Sequence, residues 1–321
     1  MELERIKNMA QQIKENINKV IVGKEEVLDL LMVALIANGH VLVEDVPGTG
    51  KTMLAKSLTL SLGCQYKRIQ FTPDLLPSDI TGMNIFNQKT FDFEFKPGPV
   101  FTNIILADEI NRATPRTQSS LLECMEERQI TIDGVTRKLE APFFVIATQN
   151  PVETQGTFPL PEAQLDRFFL KLKIGYPTTE EALGILDRFI QHNPLEELNS
   201  VVFGEEIAEA QQSYQKVLVS QPIREYIIKI IEKSRTMEQI VLGVSPRGSL
   251  ALMRASQVYA ILQGRSYVLP DDIKALVKPV LGHRMIVKST YGIKGNQTEP
   301  VLEEILESVP VPTEELQFSE N

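Results

Sequence analysis

The stretch VLVEDVPGTGKTMLAKSLTLSLG, residues 41–63, decides the fold. VLVE reads as a short buried strand, DVPGTGKT follows without a break, and Leu54, Leu58 and Leu62 then recur at helical spacing. Strand, glycine-containing loop and helix in that order are the setting of a Walker A phosphate loop. Gly48 and Gly50 let backbone N–H groups close around phosphate oxygens, and the helix N-terminus adds partial positive charge. In such a loop Lys51 reaches the β- and γ-phosphates and Thr52 ligates magnesium. Pro47, Gly48, Thr49, Gly50, Lys51, Thr52 and Met53 are the candidate nucleotide contacts. The strict pattern asks for glycine at position 45, where this chain has Asp45. Asp tolerates unusual backbone angles, so the turn is expected to survive the change. The competing reading is a glycine-rich turn beside a surface lysine.

Two amphipathic helices precede this unit. Ile6, Met9, Ile13, Ile17 and Val20 share one face, and Val27, Leu30, Leu31, Ala34 and Leu35 repeat the spacing before Gly39, the expected helix stop. Beyond the unit, YKRIQF (66–71), NIILADE (103–109), PFFVIAT (142–148) and FFLKLKI (168–174) are short apolar runs, with helical patterns after several of them. Several are nearly continuous rather than alternating, as in parallel strands covered by helices on both faces. A doubly wound α/β domain is expected. NIFNQKTFDFEFKPGP (84–99) and QITIDGVTRKLEAP (129–142) break the rhythm and read as hairpins decorating that core.

Strand signals end near Tyr176, which predicts an α/β domain over 1–176 and a helical domain over 177–321. IREYIIKIIEKSR, SPRGSLALMRASQVYAIL and LPDDIKALVKPVLGHR all carry helical apolar spacing. A turn is expected at Gly295 and Asn296, and the polar end is expected to be disordered. With 321 residues and 43% hydrophobic content, the chain is long enough for two cores.

A net charge of -9 opposes general attraction to nucleic acid or anionic lipid. Cys64 and Cys124 lack the close spacing of a zinc knuckle or redox motif and read as buried thiols in a reducing cytosol. The opening residues read as a charged amphipathic helix rather than a signal peptide, and the longest apolar run, 30–37, is too short to span a bilayer. A cytoplasmic protein is expected.

NIILADE ends in adjacent carboxylates, the pattern of a Walker B strand. Asp108 would hold magnesium, and Glu109, facing another way, would orient and activate the attacking water. The plainer alternative is a strand running into an acidic helix cap. PFFVIATQNP ends a further strand in Thr148, Gln149 and Asn150, any of which could sense a γ-phosphate; Asn150 is preferred, although Asn-Pro also favours turns by itself. Arg167 lies in LPEAQLDRFF just before a strand, and Arg247 in SPRGSLALMRAS at a helix start, where a cation opposes the macrodipole unless an anion offsets it. Ordinary ion pairing is the bland reading of both. Arg112 and Arg116 in EINRATPRTQ are further candidates for a role between subunits.

Taken together, VIVGKEEV, EDVPGTGKT, ILADEINRATPRTQSSLLECMEE, ATQNPVETQGTFPLPEAQLDRF and GVSPRGSLALMRAS closely resemble the MoxR family of AAA+ ATPases over nearly the whole chain. In that family Asp at the first Walker A position is ordinary, and the two hairpins correspond to the insertions of a helix-2-insert clade. The resemblance implies a five-stranded parallel core sheet in the order 5-1-4-3-2, a helical lid, and ATP bound between core and lid in a hexameric ring. It implies that Val22 and Gly23 line the adenine side through backbone contacts, that Asn150 is sensor 1 and Arg247 sensor 2, and that Arg167 is the finger reaching a neighbour's γ-phosphate. It further implies a chaperone-like ATPase, sometimes inserting metal or cofactors, with a partner bearing a von Willebrand factor A domain. A metal-chelatase motor subunit and a DNA-acting motor share the same nucleotide core; the second would need a basic face or a reader domain.

Overall fold

The structure is a computed structural model that describes residues 1–151, 155–190, 192–288 and 298–312. The turn expected at Gly295 and Asn296 and the tail from residue 313 lie outside the described residues. The chain divides into two compact units, Met1–Ser213 and Tyr214–Asn321.

In the first unit α1 (Leu3–Ile17) and α2 (Glu25–Ile36) lead into β1 (Val41–Glu44), α3 (Lys51–Ser61), β2 (Tyr66–Gln70) and the short α4 (Pro77–Thr81). There follow β3 (Gly82–Asn87), β4 (Asp92–Pro97), β5 (Ile104–Asp108), α5 (Pro115–Glu127), β6 (Gln129–Ile132) and β7 (Val135–Lys138). The unit ends with β8 (Phe144–Gln149), α6 (Glu162–Leu165), β9 (Leu170–Leu172), α7 (Thr179–Phe189) and α8 (Gly204–Ser213).

Five strands form a parallel sheet in the order β2-β5-β8-β1-β9. Counting only core strands along the chain, this is the 5-1-4-3-2 order implied by the resemblance. Alternate residues of the three central strands, among them Leu42, Ile105, Ala107, Val145 and Ala147, join one buried cluster with Leu121, Leu122 and Met125 of α5. The intervening residues Ile104, Leu106 and Ile146 are equally buried, so the sheet is covered on both faces. All five strands run in one direction. Their C-terminal ends therefore share one edge, where open α/β sheets bind ligands.

Both hairpins form, β3 with β4 and β6 with β7. The second closes on Asp133 and Gly134, both at positive φ (49° and 79°), a two-residue turn whose twist matches that of its strands. The hairpins touch through the Arg137 guanidinium, 3.9 Å over the Phe95 ring, and an Asn84 to Asp133 hydrogen bond of 2.6 Å.

Gly39 is not the helix stop. Asn38 takes the left-handed angle (φ 55°), and Gly39 is required because a Cβ there would lie 2.3 Å from Phe169. The change from strands to helices read near Tyr176 also differs from the compact-unit boundary at Ser213. The helices after Tyr176 stay with the first unit: Val201 and Val202 donate backbone N–H to the Ser61 carbonyl, and Gln211 donates to the Leu35 carbonyl. The second unit holds α9 (Gln221–Thr236), β10 (Ile240–Leu242), α10 (Pro246–Leu262), α11 (Pro270–Leu281), β11 (Ile286–Val287) and α12 (Thr298–Ser308). Its antiparallel β10–β11 pair was not expected, because strands of two or three residues leave no periodic trace. Cys124 is buried as expected, whereas Cys64 is only partly so. Burial pushes the Cys124 thiol up to about 12 and the Cys64 thiol up to about 11, so both are protonated at neutral pH.

His40, 3% exposed, joins β1 to its neighbours. Its Nδ1 accepts the Val145 N–H at 3.0 Å, which leaves Nε2 to carry the proton donated to the Met125 carbonyl at 3.0 Å. Burial, with Arg128 adding to it, holds the imidazole pKa well below 6.5 despite the Met125 bond. The folded chain thus refuses a proton that the unfolded chain accepts below 6.5. The resulting stability is complete above that pH and is lost as pH falls, by about 1.4 kcal/mol per pH unit until the folded pKa is reached. Urea titrations between pH 8 and 5 check this: His40→Gln should show a shallower loss than wild type by about that slope.

Candidate functional site

β1 ends at Glu44, and α3 begins at Lys51. Glu44 bridges three strands: its carboxylate accepts from Gln149 of β8 at 2.7 Å and Lys171 of β9 at 3.1 Å. Burial alone would raise its pKa, but the Lys171 charge and the two hydrogen bonds outweigh it and hold the carboxyl below its usual range. The loop therefore leaves a fixed strand end. Gly48 and Gly50 sit at φ 85° and 90°, and an added Cβ at either would meet nothing within 4 Å. Backbone angle rather than crowding is what demands glycine there. No side chain caps α3, so its first N–H groups open toward the loop. Lys51 Nζ donates to the carbonyls of Asp45 and Val46 at 3.0 and 2.7 Å.

Asp45 does not take the left-handed angle that its tolerance for unusual backbone suggested. Its carboxylate instead accepts three backbone N–H groups, from Val46, Ile174 and Gly175. The expectation was correct about survival of the turn and mistaken about the reason.

The acid pair lies at the end of β5, beside β2. Asp108 Oδ1 accepts the Thr148 hydroxyl at 2.6 Å, and Oδ2 accepts Arg68 at 2.6 and 3.2 Å. Glu109 has a left-handed backbone (φ 57°, ψ 48°), an uncommon state for a non-glycine residue. Its N–H donates to Thr148 Oγ1 at 2.9 Å, and its Oε2 accepts Gln70 at 2.9 Å and Arg112 at 3.2 Å. One cleft is lined by Gly48, Gly50, Lys51, Thr52, Asp108, Glu109 and Asn150, together with Pro47, Met53, Arg68, Gln70, Thr148 and Gln149. Residues as far apart in the chain as Pro47 and Asn150 are thus brought together at the C-terminal edge of the sheet.

Arg68, Gln70 and the double bonding of Thr148 were missed by the sequence reading. The available signal was the alternation in YKRIQF, which puts Arg68 and Gln70 on one face at the ligand-binding end of a strand. Asn150 follows the last residue of β8, is 7% exposed and lines the cleft.

A second, mostly apolar pocket lies on the other side of the loop, lined by Val20, Val22, Val27, Met53, Ile174 and Pro177 among others. Gly48, Gly50 and Met53 line both spaces, so the phosphate loop is their common wall. Gly23 does not itself line the pocket, although Val22 and Lys24 do. At φ 64° it passes so close to Glu181 that a Cβ would sit 2.2 Å from Oε1. Glu181 is pinned there, bonded to the Thr178 N–H at 2.9 Å and to Lys24 at 3.1 Å. The Thr178 bond first, then Lys24, lowers the pKa of this carboxyl.

The arginines are dispersed. Arg167, just beyond α6, pairs with Glu126 at 3.2 Å, Arg116 is exposed in the first turn of α5, and neither lines the cleft. Arg112 does not line the cleft but pairs with Glu109, which does. Arg247 is exposed in the first turn of α10, in the second unit.

Thr52 and Asp108 offer a hydroxyl and a carboxylate in the same cleft. Hard oxygen donors in that small number suit magnesium, which takes few protein ligands and completes its shell with phosphate and water.

A phosphate loop after β1, an acid pair at the end of β5, separated from β1 by β8 in the same parallel sheet, and the 5-1-4-3-2 order define a P-loop nucleotide-binding domain of the AAA+ type. The model of the AAA family, ATPases associated with various cellular activities, matches residues 40–170, and the model of the AAA lid domain matches 232–305. Chaperone MoxR1 of Mycobacterium tuberculosis is 37% identical over 92% of this chain and 80% of that protein. Protein YeaC of Bacillus subtilis is 52% identical over 94% of each chain. A crystal structure of a candidate ATPase from Cytophaga hutchinsonii superposes with a TM-score of 0.87 at 37% identity, covering 96% of both chains. The chain belongs to the MoxR family of AAA+ ATPases.

Proposed function

We propose that this chain binds ATP with magnesium, hydrolyses it within a hexameric ring in the cytoplasm, and uses the cycle to remodel or mature client protein complexes. The observation that carries the reading is the convergence of Lys51, Thr52, Asp108, Glu109 and Asn150 on one cleft beside an apolar pocket. That pairing of a polar, loop-lined space with an apolar slot suits a molecule with phosphates at one end and an aromatic base at the other.

In this reading the base lies in the pocket bordered by Val22, and the phosphates follow Pro47, Gly48, Thr49 and Gly50. Lys51 exchanges its two loop carbonyls for β- and γ-phosphate oxygens. Thr52 and Asp108 would hold magnesium, which when bound neutralises charge on the β- and γ-phosphates. Glu109 directs a water at the γ-phosphorus and accepts its proton, while Asn150 keeps that water in line. The bond from the γ-phosphorus to the bridging oxygen breaks, leaving ADP and inorganic phosphate. Arg247 from the lid and Arg167 from a neighbouring subunit stabilise the charge that builds in transit.

Three further elements rest on likeness. The name of the Mycobacterium tuberculosis relative supports the chaperone role, and the family resemblance supports both the ring and a partner with a von Willebrand factor A domain. Location in the cytoplasm follows from the need for ATP; no helix among the described residues is long and apolar enough to cross a membrane.

Calorimetric titration with ADP and a phosphate-release assay with ATP test the reading. Lys51→Ala removes charge-assisted hydrogen bonds and should weaken ADP binding about tenfold to a hundredfold. Equal affinity and equal turnover in wild type and variant would reject the site.

A further inference from the structure

Asp45 is 8% exposed at the junction of β1 and the phosphate loop. Oδ1 accepts the Val46 N–H inside the loop at 2.8 Å. Oδ2 accepts two consecutive N–H groups, those of Ile174 and Gly175, at 2.9 and 2.7 Å. Its own N–H donates to the Gln149 carbonyl at the end of β8, at 3.2 Å. Three backbone donors thus converge on one buried side chain, with both of its oxygens bonded.

The placement gives these bonds a consequence beyond holding a turn. Ile174, Gly175 and Pro177, which follow β9, border the apolar pocket together with Gly48, Thr49 and Gly50 of the phosphate loop. Gly48 and Gly50 border the polar cleft as well. One carboxylate therefore fastens the segment after β9 to the loop that divides the two spaces. The glycine of the strict phosphate-loop pattern has no side chain with which to make that connection.

We propose that Asp45 is a positioning residue that sets the distance between the base-side pocket and the phosphate loop. The inference rests on the nucleotide reading above. A nucleotide fills both spaces with a covalently fixed spacing, so it gains from walls already held at that spacing. A bare phosphate chain occupies only the loop side and gains nothing from the fastening.

The test is calorimetric titration of wild type, Asp45→Ala and Asp45→Asn with ADP and, separately, with tripolyphosphate, magnesium being present throughout. Asp45→Ala should bind ADP about tenfold more weakly, while tripolyphosphate stays within about twofold of wild type. Asp45→Asn retains one acceptor oxygen and should shift ADP in the same direction by less; it carries the test if thermal melting shows the alanine protein unfolded. Equal losses for both ligands would reduce Asp45 to a support for the loop alone and overturn the proposal, as would unchanged ADP affinity. A wild type that binds neither ligand would remove the nucleotide reading and this proposal with it. A wild type that binds both, with variants that match it, would remove the proposal only.

Discussion

Arg167→Ala is expected to lower steady-state ATP turnover by about 10³–10⁵-fold, the usual range for loss of an arginine finger. ADP affinity should stay within about twofold, because in the proposed mechanism the residue acts only on charge that develops in the transition state. Arg167 stands outside the cleft of its own chain, paired with Glu126. Both members of that pair are about one-third exposed, and such pairs contribute only about 0–1 kcal/mol. The pair is thus a weak competitor for a phosphate group presented by a neighbour. Phosphate release measured on mixtures separates this from a role within one chain. Arg167→Ala subunits keep Glu109, and Glu109→Gln subunits keep Arg167, so mixing two inactive proteins should restore activity at the interfaces that combine the intact residues. Mixtures no more active than their components, or a monomer that hydrolyses at full rate, would contradict the trans assignment.

Glu109→Gln should cost about 10²–10⁴-fold in turnover, the range for removing a positioned general base, with ATP still bound. The amide keeps the shape of the side chain and one acceptor for the Gln70 bond, so the fold around β5 is undisturbed. What disappears is the oxygen to which the proposed mechanism gives the proton from water. The two carboxylates have different partners, which supports this division of labour: Glu109 is bonded to Gln70 and Arg112, and Asp108 to Thr148 and Arg68. Single-turnover hydrolysis beside an ATP titration reads both quantities from one protein. Near wild-type turnover would place the base elsewhere.

The parts of this molecule legible in the sequence are those that local chemistry encodes. VLVEDVPGTGKT announces strand, loop and helix within a dozen residues, and Asp133-Gly134 announces a hairpin by itself. The strand order is different in kind, since no local signal says that β1 lies between β8 and β9; it came from family likeness. Apart from their alternation, Arg68 and Gln70 carry no local signal of a site because their meaning depends on β2 lying beside β5, forty residues along. The bonds of Asp45 to Ile174 and Gly175 cross a still longer interval, and only the folded sheet closes it. His40 was passed over for the same reason: its two partners come from α5 and from β8.

A crystal structure of the Glu109→Gln protein with ATP and magnesium is the most direct measurement. The triphosphate is expected along residues 47–52, with Lys51 withdrawn from the carbonyls of Asp45 and Val46 and the metal on Thr52 and Asp108. Nucleotide bound elsewhere, with Lys51 still on those carbonyls, would contradict the assignment of this cleft.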